Sequence, residues 1–206
     1  MAEYEFTNSW FQETVNVWNR WVPQLKPKRI LEIGSYEGQS SCYLIEKCSE
    51  WNDLEIHCVD TWAGGVDNQA FGHEMSEVEN RFLKNIDLAQ KKAQKKVDFH
   101  RYKTLSYKAL AQLICEEKTG YFDLIYIDGS HQAPDVITDA TMAFPLLRVG
   151  GMIVFDDYIW FMEEKGNQDL INMPKLAIDS FTNIFQRKIR ILSFPLRQIY
   201  LVKTAM

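Results

Sequence analysis

Apolar residues recur along this chain in two rhythms. One is the short, mainly apolar run: Ile30-Leu31 with Ile33, Leu54 through Val59, Phe122 through Ile127, and Met152-Ile153-Val154-Phe155. Runs of this length are too short for helices, and they read as strands buried on both faces of a parallel sheet. The other rhythm spaces apolar residues three or four apart, as in amphipathic helices. It places Phe11, Val15, Trp18 and Val22 on one face of a helix over 8–22, which Pro23 and Pro27 end. It recurs as Val78, Phe82, Ile86, Ala89 and Ala93, as Leu110, Leu113 and Ile114, and as Ala177, Phe181, Ile184 and Phe185.

Local signals set the boundaries. A helix follows Gly38 to about Cys48. Ser76-x-x-Glu79 is a capping-box pattern, and Ser106 is the expected N-cap of the next helix, with Leu105 stapling against Leu110. Gly120 ends that helix, and Pro134 suits the first turn of another running to about Leu147. Val149-Gly150-Gly151 turns the chain into the fifth strand, 97–102 is a short third strand, and Pro174 opens the last helix. Two final strands, 188–194 and 198–203, are joined around Pro195 and should be antiparallel. Five strand-then-helix units and a hairpin predict an α/β fold, a mostly parallel doubly wound sheet with helices on both faces.

At 206 residues the chain reads as a single domain, with an N-terminal helical extension over 1–27 and a core over 28–203. A net charge of −5 argues against a nucleic-acid partner. The one basic run, over 91–96, reads as solvated charge at a helix end. No apolar stretch is long enough to span a membrane. The first residues lack the pattern of a signal peptide. The four cysteines (Cys42, Cys48, Cys58, Cys115) show no paired spacing and read as reduced core residues of a cytoplasmic protein.

The chemistry gathers at the carboxyl ends of the parallel strands, which lie along one edge of such a sheet. The first strand ends in Glu32-Ile33-Gly34-Ser35-Tyr36-Glu37-Gly38-Gln39-Ser40, the second in Asp60-Thr61-Trp62, the fourth in Asp128-Gly129-Ser130-His131, and the fifth in Asp156-Asp157. Gly34 permits a sharp turn, and Gly38 sits where the next helix begins. The glycines do not form G-x-G-x-x-G, and a carboxylate at Glu32 suits a cationic ligand better than a pyrophosphate. A surface Glu in an ordinary turn is the plain alternative. Asp60 follows Gly38 by 22 residues, near the spacing at which a carboxylate meets a ribose diol. Asp128, Asp156 and Asp157 would repel one another without a positive partner, and all-oxygen ligation favours a hard cation such as Mg²⁺. Of the four histidines only His131 adjoins these acids, and imidazole titrates near neutrality.

These tracts resemble the class I S-adenosylmethionine (SAM) methyltransferases. Glu-Ile-Gly-Ser-Tyr-x-Gly-x-Ser and Tyr-Ile-Asp-Gly-Ser-His are similar to the metal-dependent O-methyltransferases of the macrolide-sugar and catechol kinds. The resemblance implies a Rossmann-like sheet of order 3-2-1-4-5-7-6 with strand 7 antiparallel. It implies SAM on Glu32, Gly34, Ser35, Tyr36, Gly38 and Ser40, with Asp60 on the ribose and Thr61, Trp62 and Ser106 beside the adenine. Leu105 departs from it, standing where an Asp is frequent. It further implies a divalent cation on Asp128, Asp156 and Asp157, with Asp128 also at the cofactor and His131 as general base. The expected partner is a small hydroxyl-bearing molecule, a sugar or phenol. Trp160, Phe161 and the N-terminal tryptophans could wall it, or serve as core or homo-oligomer contacts. A nicotinamide oxidoreductase and a non-catalytic SAM-binding protein are the competing readings.

Overall fold

The computed structural model describes residues 3–206; Met1 and Ala2, which open the expected extension, lie outside the described residues. Within them the strands are β1 Arg29–Ile33, β2 Leu54–Asp60, β3 Val97–Lys103, β4 Phe122–Ile127, β5 Leu147–Phe155, β6 Ile189–Leu192 and β7 Ile199–Lys203. They form one sheet in the order β3-β2-β1-β4-β5-β7-β6. β1 to β5 pair in parallel, whereas β7 runs antiparallel to both β5 and β6. This is the expected order. It places β1 beside β4 at the point where the sheet changes direction of growth, the position at which open α/β sheets bind ligands.

The helices are α1 Gln12–Leu25, α2 Gln39–Cys48, α3 Val66–Ala70, α4 Val78–Lys92, α5 Ser106–Cys115, α6 Ala133–Leu146 and α7 Pro174–Ile184. Strand side chains alternate between faces, and the core divides accordingly. Ile30, Ile56, Tyr126, Val154 and Tyr200 pack with α1, α2 and α4. Leu31, Ile33, Val59, Ile125 and Phe155 pack with α5, α6 and α7. At the carboxyl end of α6 the buried Lys203 donates to the carbonyls of Phe144 and Leu147, at 2.8 and 2.7 Å. A cation there satisfies orphan carbonyls and suits the helix dipole.

Several local expectations are corrected. α1 runs through Pro23, which costs one bond in the last turn, and ends where Lys26 turns left-handed and donates to Val22. The loop over 63–75 contains α3, which Gly65 opens. Ser76 caps nothing: Glu77 holds the N-cap position of α4, and Glu79 reaches across to Arg101 and Lys103 of β3. Leu105 is the N-cap residue of α5, and at 49% exposure it staples nothing. β5 starts at Leu147, because Gly150 takes a left-handed turn within the strand and the pairing with β4 shifts register there. Cys115, Ile114 and Ile184 are exposed, each at or near the carboxyl end of its helix; the other three cysteines are buried, and all four are free.

Candidate active site at the carboxyl ends of the strands

The two halves of the sheet meet at Gly34. Its φ is +87°, and a Cβ there would lie 1.8 Å from the carbonyl oxygen of Asp128. The β1–α2 loop is held open by backbone bonds: Gly34 donates to Val59, and Gly38 to Ser35. Glu32 does not face the resulting cleft. It is fully buried behind the loop, where Ser40, Ser41 and the Cys58 thiol donate to its carboxylate. Burial pushes its pKa up against those donors. Its place in the sequence led to the expectation of a cationic ligand, but β-strand alternation turns it toward α2. Ser40, its partner, also reaches the cleft.

Asp60 ties this loop to the end of β2. One carboxylate oxygen accepts from the Tyr36 N–H at 2.9 Å and the other from the Trp62 N–H at 2.7 Å. Burial raises its pKa, and the backbone donors work against that. The Trp62 indole donates to the Tyr36 carbonyl, but its ring lies in the core against Phe82 and not in the cleft. Thr61 accepts from Ala63 and stays local. Ser106 opens α5 beside Asp139, whose carboxyl burial pushes up to about 7. Tyr36, Trp62 and Asp157 all have positive φ without being glycine, so left-handed backbone concentrates at this edge.

A cleft of about 50 Å³ lies between Gly34, Ser35, Tyr36, Ser40 and Asp128 on one side and Asn8, Trp10 and Phe11 on the other. The amino-terminal segment crosses its mouth. Thr7 donates twice to the buried Glu37, which also receives Arg81; Trp10 packs on Tyr36 and His73. Asn8 Nδ2, Ser35 Oγ and Gln39 Oε1 are buried along this cleft without a partner in the protein. Buried polar atoms are ordinarily paired, so three orphans around one space fit a polar ligand.

The acids of β4 and β5 divide into two roles. Asp128, His131 and Asp157 each present an atom within 4.8 Å of the other two. Asp156 is not in that group: one of its oxygens accepts from the Asp157 N–H, and the other from Tyr126 and Gln198. Of the expected triad, Asp128 and Asp157 share a space with the histidine, while Asp156 is joined to Asp128 through the Tyr126 hydroxyl. Burial and the charges of Asp156 and Asp157 hold the Asp128 carboxyl well above its ordinary pKa. Tyr126 donates to both Asp128 and Asp156. Gln198 in turn accepts from the indole of Trp18 in α1 at 2.8 Å, so a hydrogen-bonded path runs from that helix to Asp128.

His131 lies between two carboxylates, with Nε2 2.8 Å from Asp157 and Nδ1 3.1 Å from Asp67 of α3, and stacks on Trp160 at 4.2 Å. Burial alone would lower its pKa, but Asp157 and Asp67 overcome this and hold it at about 10. In metal-free protein the imidazolium is thus the positive partner of the acids. Its contribution to stability is complete below the ordinary value of 6.5 and is lost as pH rises through about 10. Replacing His131 with Gln is expected to lower the melting temperature in chelator at pH 6 and to matter little above pH 10. Thermal melts across that range check it.

A family model described as "Methyltransferase domain" matches residues 31–158, which contain the whole strand-end constellation. The chain belongs to this methyltransferase family. Similar solved structures share the fold at low identity. The O-methyltransferase TomG from Streptomyces achromogenes, solved with SAM, is 17% identical at a TM-score of 0.62, covering 92% of this chain and 78% of its own. An O-methyltransferase from Bacillus cereus, solved with SAH, is 17% identical at 0.62, covering 98% and 84%. CalS11, a calicheamicin methyltransferase, is 14% identical at 0.64, covering 92% and 77%. The comparison with curated proteins finds no significant match.

Within this methyltransferase, sequence reading located Gly34, Ser35, Tyr36, Asp60, Asp128, His131 and Asp157 at one edge. It missed Asp67, Tyr126, Gln198 and the strap residues Thr7 and Asn8. The Gly64-Gly65 pair before Val66-Asp67 was the available signal for α3; nothing local marks Gln198. Trp18 and Trp21 are core, while Trp10 alone of the N-terminal tryptophans lines the cleft.

Proposed function

We propose that the protein is a SAM-dependent O-methyltransferase acting on a hydroxyl of a small molecule such as a sugar or phenol. The observation that supports this most is the convergence of Asp128, His131 and Asp157 beside the Gly34 cleft with its three orphaned polar atoms. That convergence supports reading the cleft as a polar nucleoside site beside side chains that handle protons and cations. TomG and the Bacillus cereus enzyme, which share the fold, were solved with SAM and SAH.

Ser35, the Tyr36 backbone and Asp60 would hold the cofactor, which supplies an electrophilic methyl group. Asp128 and Asp157, with the His131 ring within reach, are a donor set for a divalent cation such as Mg²⁺, which would lower the pKa of a bound hydroxyl. An acceptor oxygen aligned with that methyl group would form the C–O bond as the C–S bond broke. Its proton would pass to Nε2 of His131 once that nitrogen had left Asp157 and given up the proton it shares there, while Asp67 fixes the ring through Nδ1. Trp160 against the ring gives the acceptor an aromatic wall.

Calorimetry with SAM is expected to show binding, and Asp60→Ala to weaken it at least tenfold and to lower the melting temperature by several degrees, since the Tyr36 and Trp62 N–H groups lose their acceptor. Labelled-methyl transfer to sugar and phenol acceptors should fall in chelator and return with Mg²⁺. No heat with SAM would overturn the reading, and full activity in excess chelator would remove the metal from it.

A further inference from the structure

A second group of ligating side chains lies away from the catalytic edge. Glu55 and His57 are two apart on β2 and so share a face of the sheet. His100 is the residue beside His57 on β3. One oxygen of Glu55 and one ring nitrogen of each histidine lie within 4.8 Å of one another. We propose that Glu55, His57 and His100 bind a divalent transition-metal ion of the zinc type, with water at the fourth position. His57 stands three residues before Asp60, about 10 Å down the strand, so this site is separate from Asp128, His131 and Asp157.

The chemistry of the donor set favours such an ion. Two imidazoles and a carboxylate form a known three-ligand zinc set, and nitrogen ligands disfavour Mg²⁺ or Ca²⁺. Nε2 of His57 faces Glu55 Oε1 at 2.7 Å, two groups that a single proton now joins and that a metal ion would join in its place. Nδ1 of His57 lies 3.0 Å from the Tyr102 hydroxyl, and Glu55 Oε2 accepts from the Tyr121 hydroxyl at 2.5 Å. Partners of this kind orient ligands around a metal.

His100 completes the set. Its ring stacks on that of His57 at 4.3 Å, and its side chain is 39% exposed, so it can turn toward an ion arriving from solvent. Lys118 is the competitor: its ammonium lies 3.5 Å from Glu55 Oε1 and supplies charge that the ion would bring. An ion held here would bridge β2 to β3, the strand at one edge of the sheet, which has a neighbour on one side only.

The test uses the full chain carrying Asp128→Asn and Asp157→Asn, which removes the acids of the catalytic edge. Chelator-stripped protein is titrated with zinc chloride against a chromophoric chelator. The expected result is one zinc per chain, a rise in melting temperature with zinc, and a loss in affinity beyond about tenfold with His100→Gln, the loss already typical of outer partners. Lys118→Met should tighten binding. His100 is chosen over the buried His57 because its replacement spares the core. Absence of stoichiometric zinc in this background, or uptake that His100→Gln leaves unchanged, overturns the proposal.

Discussion

Replacing His131 with alanine is expected to lower turnover about 10²–10⁴-fold, the usual contribution of a positioned base. The expectation rests on position and surroundings together. The ring sits at the carboxyl edge of the sheet, fixed by Asp67 through Nδ1, stacked on Trp160 and within reach of Asp157 and Asp128. SAM affinity should change little, because the orphaned polar atoms of the cleft belong to Asn8, Ser35 and Gln39 and not to this residue. The acidic limb of the pH–rate profile should disappear in the variant. If the ring only ties α3 to Asp157 and Trp160, the substitution would lower the melting temperature and leave turnover nearly intact. Measuring turnover and melting on the same preparations separates the two.

Gly34→Ala should be the most damaging small substitution at the site. The new Cβ would lie 1.8 Å from the Asp128 carbonyl oxygen, 2.3 Å from its carbon and 2.6 Å from the Gly129 Cα. All three are backbone atoms, so no side chain can swing aside, and β1 and β4 would have to part. Overpacking typically costs about 1–3 kcal/mol and a left-handed non-glycine residue about 1–2 kcal/mol more. Together these correspond to a fall in melting temperature of roughly 10 °C for a chain of this size. Gly72 is the control: its φ is +68° and nothing lies within 4 Å of a Cβ built there, so Gly72→Ala carries only the backbone cost. Equal melting temperatures for the two variants would show that β1 and β4 part readily enough to admit the methyl group.

The sheet was legible because its strands are short apolar runs ending in acids, and because alternation of strand and helix leaves few topologies. The order β3-β2-β1-β4-β5-β7-β6 came with the family resemblance, and the structure has it. The site was legible as far as strand ends carry it, which includes Asp60, Asp128, His131 and Asp157. It was illegible where the direction of a side chain decides. Glu32 and Asp156 occupy motif positions, yet both turn inward, one to the serines of α2 and the other to Tyr126 and Gln198. Nor could spacing reveal Asp67 or Gln198, which lie about sixty residues from the nearest Asp128-linked motif in one direction and forty beyond it in the other. Their contacts are made by the fold and leave no local pattern.

The path Trp18–Gln198–Asp156–Tyr126–Asp128 starts in α1 and passes through Gln198, the residue before β7, both outside the stretch that the family model matches. Polar side chains buried in such a chain constrain one another, since each donor lost leaves an unsatisfied acceptor. Variation in the amino-terminal helix therefore has a route to the acids at the catalytic edge without altering any of them. Two members of the family with identical strand-end motifs could differ in cation preference or acceptor range through this periphery alone, and a catalytic core grafted without its own α1 and β7 would carry the motif while losing the tuning.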